Sequence, residues 1–528
     1  MSTHPNTFRR FIMSSFEIKN GVLIRYKGRE DHVVIPDEVT EIGDEAFFKC
    51  ITVESVTIPE TVTRIGLGAF HQCDSLTTID IPDSVEHFEP LIFSECTALT
   101  SVTLPKHMTA IPSGMFHCCE SLKDISFLED LPLKTIGKSA FIGCDSLTDV
   151  VIPDGVVSIG EEAFMVCENL TSVTLPEGLN YIGKNAFHFC LKLKTVTSNE
   201  KLIGLAEGVF LGCKGLESFT IPGCGEGFDK GFFEYLHSQL EDHRELFTIG
   251  IRAFSGCTSL RHVNIPECTV EICDRAFTGC DSLETITLPE TVEKVETCAF
   301  KECESLTDIS LSNVKEIGYH VFEGCKKLKK VGLGKELDQF STDIFTNCPE
   351  LTTVEVSPEN PYLCAIDGCV YSKDQTELRY YPANSNSSSF AIPDGVRIIG
   401  QAAFLRAEHL QSVSIPDSVT TICEKAFACC SGLTEVTIGK NVTTIEDYAF
   451  IGCENLLSVT LPADIETIGI YAVGFNGRIS AGYSVMDPYR FYREVNGAKQ
   501  IDGFILFSRS KVAKKYAKES RFKFKKAK

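Results

Sequence analysis

Along most of this chain short runs of alternating apolar and polar residues recur at a fixed interval. Leu76-Thr-Thr-Ile79-Asp-Ile81 and Leu99-Thr-Ser-Val102-Thr-Leu104 are two of them, and each predicts a short strand with one buried face. A Pro follows, as at Pro82 and Pro105, and marks the strand's end because it cannot donate to a ladder. Next comes Val-x-x-Ile-Gly, as in Val62 to Gly66, which supplies two more inward residues and a Gly expected to take a turn dihedral closed to other residues. The segment from that Gly to a Cys is too short for a long helix. It suits one helical or 3₁₀ turn with an Ala-Phe pair pointing inward.

The phenylalanine of that pair recurs at 47, 70, 93, 116, 141, 164, 187, 210, 254, 277, 300, 322, 345, 404, 427 and 450. Most spacings are 23 residues, with one of 22, one of 25, and gaps of 44 and 59 that hold insertions of 21 and 36. One such unit cannot bury its own apolar face, so neighbours must stack around a shared core. The pattern therefore predicts a repeat solenoid, with parallel strands forming a sheet on its concave face, short helical or 3₁₀ turns opposite, and hairpin caps.

The unit I-P-x-x-V-x-x-I-G-x-x-A-F-x-x-C-x-x-L, filled many times between about residues 34 and 480, resembles the BspA-like branch of the leucine-rich repeat proteins. The resemblance implies a solenoid that binds other macromolecules. Several relatives are surface proteins of bacteria or protists that attach to host or partner proteins. It implies no catalytic residue and no cofactor.

Interruptions of the period divide the chain. Residues 1–33 read as a disordered N-terminus plus a hairpin cap, with Asn20-Gly21 as the turn. Repeats run over 34–222, 248–356 and 392–480, the last ending in a degenerate capping unit with Val473 in the Phe slot. Residues 223–247 carry Phe228, Phe232, Leu236 and Leu240 at helical spacing, widened by Phe233. That stripe predicts an amphipathic helix that either packs on the solenoid's flank or docks a partner. Residues 357–391, with Asp367-Gly368, read as an inserted hairpin module that restarts the array, and Asn384 to Ser389 as its most flexible loop. Residues 481–528 form a C-terminal cap and basic tail.

Charge sharpens the picture. The net charge is −22, yet the last twenty residues carry ten Lys or Arg against one Glu, so about −31 falls on the rest. An acidic body makes nucleic acid an unlikely main partner. Lys511, Lys514, Lys515, Lys518, Arg521 and Lys523 in the tail suit either a solvated cap or contact with an acidic polymer or membrane surface. With no secretory apolar run and no transmembrane stretch, the chain as given reads as cytoplasmic. A missing start or export signal would make it a surface or secreted protein.

Strand positions expected to face solvent hold small hydroxyls and acids: Thr78 and Asp80, Ser101 and Thr103, Ser172 and Thr174. Thr suits parallel strands in any protein; the functional alternative is a broad surface for an extended partner. Of 24 cysteines, fifteen share one slot, broken only at Ala407. That slot suits inward free thiols acting as small hydrophobes and weak donors to loop carbonyls, ahead of disulfides or a zinc site. His71, His117 and His188 share the position after the Phe and are expected on exposed turns without a common metal. No phosphate loop, H-E-x-x-H, G-x-S-x-G or dinucleotide fingerprint occurs. The chain therefore reads as a non-catalytic, adhesin-like scaffold for a protein partner, with tethering through the tail as the alternative.

Overall fold

A computed structural model describes residues 15–197, 205–220, 248–383, 385, 387–482 and 492–527. The segment 1–13, expected to be disordered, and the whole insertion 223–247 lie outside the described residues, as do Asn384 and Asn386 of the expected loop. The chain divides into two compact units, Met1–Val292 with Cys298–Cys303, and Glu293–Thr297 with Glu304–Lys528.

In the first unit Phe16–Lys19 and Val22–Tyr26 form an antiparallel hairpin turned by Asn20 (φ 53°) and Gly21 (φ 79°). Its second strand pairs in parallel with Glu41–Ile42, which opens a ladder through Arg64–Ile65 and His87–Phe88. These two-residue strands come from the Val-x-x-Ile-Gly motif, so each turn holds a second strand that the alternation did not reveal. The three-residue strands stack separately: His32–Val34, Ser55–Thr57, Thr78–Asp80 and Ser101–Thr103. In the 25-residue unit a 3₁₀ helix, Ser126–Leu128, replaces the strand, and the ladder resumes at Asp149–Val151. Ser218–Thr220 then pairs directly with His262–Asn264, so the turns flanking the inserted residues stack as immediate neighbours.

The turn that carries Phe345 is a 3₁₀ helix, Thr342–Phe345, but most turns opposite the strands are non-helical. Three alternate residues there, two before the Phe, the Phe itself and two after it, each donate an N–H to the next turn. Glu45 donates to Leu67 at 2.8 Å, Phe47 to Ala69 at 2.7 Å and Lys49 to His71 at 3.0 Å. The outer two take left-handed backbone (Glu45 φ 53°, Lys49 φ 58°), which swings their N–H groups onto the neighbouring turn instead of into a helix. Successive turns are thus hydrogen-bonded along three sides. The Ile-Gly glycines are not the left-handed residues. A Cβ at Gly160 would stand 2.6 Å from the Lys138 backbone N, so glycine serves there for close approach between turns.

The interior holds a column of rings. Phe47 and Phe70 stack at 4.9 Å, Phe141 and Phe164 at 5.1 Å, and Phe277 and Phe300 at 5.3 Å, all within 19° of parallel. Tyr26 heads this column over Phe47 at 5.1 Å. Beside it the slot cysteines after the half-buried Cys50 are buried, and their thiols donate to the carbonyl of the preceding unit's Phe at 3.0–3.2 Å, as from Cys73 to Phe47, Cys167 to Phe141 and Cys453 to Phe427. Burial pushes the Cys167 and Cys453 thiols well up, and Cys348 to about 12. Among the described residues Cys268, outside the repeated slot, departs from the free-thiol reading and is disulfide-bonded.

In the second unit Asp308–Leu311, Lys330–Leu333 and Thr353–Val356 form a parallel ladder. Leu363–Ile366, Cys369–Ser372 and Glu377–Tyr380 follow as an antiparallel meander whose last strand pairs in parallel with Ile398–Ile399. Tyr381 stacks on Phe404 at 4.7 Å, the part Tyr26 plays in the first unit. At the C-terminal end Ser458–Thr460, Ile505–Ser508 and Lys523–Lys526 are parallel neighbours, and the helix Lys511–Glu519 is capped by Ser510, whose hydroxyl accepts from the Val512 N–H. Among the described residues no helix is long and apolar enough to cross a membrane.

Candidate functional site

The outward strand face is set by the two-residue side-chain period: Val56, Ile79 and Val102 point in and are buried, leaving their neighbours to solvent. Register puts Thr78 opposite Ser101 and Asp80 opposite Thr103, so these four form one patch. The Thr103 hydroxyl donates to Asp80 at 2.5 Å. Ser172 and Thr174 lie in a different ladder, beyond the interruption at Ser126–Leu128, and sit opposite Asp149 and Val151. Ser172 and Thr171 donate to Asp149 and hold its carboxyl below the usual range. The face offers hydroxyls and carboxylates already bridged to one another, and no large side chain projects from these positions. Phe228, Phe232, Phe233 and Leu236 fall outside the described residues.

The tail residues sort into two groups. Lys511, Lys514, Lys515 and Lys518 project from the C-terminal helix around an open groove of about 470 Å³, floored by Phe522 and Phe524. The opposite side of that helix is buried through Ala513, Tyr516 and Ala517, and the Tyr516 hydroxyl binds the Val473 backbone at 3.2 Å on both N and O. Arg521 does not line the groove; it takes left-handed backbone (φ 55°) between helix and strand. Lys523 is in register with Ile505 and Ser458 on the outward strand face, and Lys525 follows Phe507, whose ring lies 5.6 Å from the Lys525 ammonium. The hydroxyl face of the second unit therefore ends in an aromatic and lysine border.

A further cleft, of about 580 Å³, lies where the second unit's meander meets the flanking turns, between Tyr319, Phe340, Asp343, Arg379 and Lys425. Its cations are already neutralised: Arg379 pairs with Glu377 at 3.1 Å, and Lys425 with Glu424 at 2.5 Å. Beside it the buried His320 faces Glu323 at 3.0 Å and Asp343 at 3.7 Å. Sequence reasoning did not find this cleft, because its residues come from five separated stretches. The only available signal was the 59-residue gap in the Phe series.

The three slot histidines do not meet. His71 binds the Ser94 carbonyl at 3.0 Å and His117 the Ser94 hydroxyl at 3.3 Å. Burial pushes both His117 and His188 down, and for His117 the nearby His71 adds to the effect.

The model of a BspA type leucine rich repeat region, of six copies, matches residues 26–132, 134–243, 237–352 and 379–481, well over half of the chain. A leucine-rich repeat protein from Bacteroides ovatus is 22% identical, with 85% of this chain and 94% of that one covered and a TM-score of 0.48. The T. pallidum leucine rich repeat protein is 30% identical over 33% of this chain and 82% of that one, with a TM-score of 0.30. The pneumococcal vaccine antigen PcpA is 15% identical over 97% and 96%, with a TM-score of 0.26. No curated protein matches the sequence.

Proposed function

Because the chain belongs to the BspA-type leucine-rich repeat family, we propose that it is a non-catalytic, adhesin-like scaffold that binds a protein partner through its outward strand face. The observation that supports this reading is the patch of Thr78, Asp80, Ser101 and Thr103: laterally bonded, solvent-facing and set on paired strands. A face of bridged hydroxyls and carboxylates suits broad polar complementarity with an extended partner better than a single deep anchor.

A second reading, contact of the basic C-terminal segment with an acidic polymer or surface, is favoured by the four lysines around one groove. Affinity capture compares the wild-type chain with Thr78→Arg/Ser101→Arg, a tail truncation and a deletion of residues 224–243. The strand-face reading expects the double variant alone to lose the partner, and retention by that variant refutes it. Loss on truncation alone favours the tail. Unchanged binding after the deletion removes a docking role for Phe228, Phe232, Phe233 and Leu236.

A further inference from the structure

The C-terminal end of the second unit presents three features side by side. Among the described residues Lys523–Lys526 is the last strand of its sheet, so its outer edge exposes unpaired backbone donors and acceptors. Phe524 is in register with the buried Leu506, on the inward side of that strand, yet remains partly exposed among the described residues. The charges around it are overwhelmingly positive: Lys523, Lys525 and Lys526 on the strand, and Lys511, Lys514, Lys515 and Lys518 on the helix alongside, with Glu519 as the sole helix carboxylate, 3.8 Å from Lys515.

A lysine-lined edge repels another copy of itself and disfavours indiscriminate strand pairing. The same edge admits a strand of opposite charge, which then gains main-chain hydrogen bonds along its length. We infer that this edge binds an extended acidic peptide segment as an added strand, with acidic residues beside Lys523 and Lys525 and an apolar residue between them packed on Phe524 and Phe522. The two-residue period dictates that acidic–apolar–acidic order, since Lys523 and Lys525 share one face of the strand and Phe524 takes the other. A nucleic acid or lipid surface would use the lysines but neither the open backbone edge nor the alternation.

This inference rests on the second reading above and narrows it to one ligand class. The test titrates full-length protein with a fluorescein-labelled peptide of alternating glutamate and valine. Its counterpart N-methylated at every residue, polyphosphate, and vesicles of mixed phosphatidylcholine and phosphatidylserine are the comparison probes. The alternating peptide is expected to bind, to slow amide exchange at 523–526, and to lose affinity as salt shortens the range of the charges. Lys514→Glu/Lys515→Glu, both exposed, is expected to weaken binding about tenfold. Equal binding of the N-methylated peptide, or no effect of the charge reversal, overturns the inference. If polyphosphate or vesicles bind and the peptide does not, the inference falls while the second reading stands; if no anionic probe binds, both fall.

Discussion

Replacing Phe164 by Ala tests whether this protein is held together turn by turn. The ring is fully buried and lies 5.1 Å from Phe141 and 5.4 Å from Phe187, within 6° of parallel to each. Losing it forfeits about 2–3 kcal/mol of apolar burial, and the unfilled space between two rings brings the total to about 3–5 kcal/mol. Its backbone bonds reach the adjacent turns: Phe164 N–H donates to the Ala186 carbonyl, the Phe164 carbonyl accepts from the Cys190 thiol, and Phe141 N–H donates to the Ala163 carbonyl. Local opening should therefore rise about a hundred- to several-thousand-fold around residues 139–143, 162–166 and 185–189. Hydrogen exchange read by mass spectrometry resolves those segments. Amides near Phe70 and Phe254 should keep their wild-type rates, because coupling in a linear array decays from neighbour to neighbour. Equal acceleration everywhere would show one all-or-none unit and refute the reasoning.

Four further outcomes are expected. Burial holds Cys348 and Cys369 at about 12, whereas an unfolded thiol ionises near about 8.5. The folded form thus keeps protons that the unfolded form releases. Stability is intact below about pH 8.5 and falls as pH rises toward the folded value, by about 1.4 kcal/mol per pH unit for each such thiol. Urea midpoints at rising pH would read this, and a flat profile would contradict it. Val166→Gly should stabilise by about 0.5–1 kcal/mol, because Val166 holds φ 60° in a slot that Gly143 and Gly212 fill in other turns; a lower urea midpoint would count against backbone strain there. Gly160→Ala should destabilise by about 1–3 kcal/mol, its methyl meeting the neighbouring backbone, and an unchanged thermal midpoint would show that the turns separate freely. Tyr516→Phe leaves the Val473 backbone groups without their buried partner and should cost about 1–3 kcal/mol, seen as faster proteolysis after residue 500.

The ring column and thiol slot were legible because Phe and Cys recur with one spacing and little substitution. The short strands Arg64–Ile65 and His87–Phe88 were not, since two residues offer no alternation to read. Left-handed backbone was hidden for a similar reason. Glu45, Lys49, Gln72 and Arg252 adopt it without the glycine that announces such a conformation, because bonds to the next turn hold them there. The glycines that did attract notice have another task, close approach. The tail's charge was plain in composition, but its grouping into a helix-borne rim beside Phe522 and Phe524 depends on how the last turn folds back.

Most full turns hand the next the same stacking ring, the same thiol bond and the same lines of amide donors, Ala407 marking the turn without the thiol. Excising one whole 23-residue copy from the gene would thus rejoin like surfaces, whereas a cut of any other size would throw rings out of line. Unequal exchange between copies offers such a gene an easy way to vary length in whole steps, so the reach of the molecule is open to selection separately from its manner of folding.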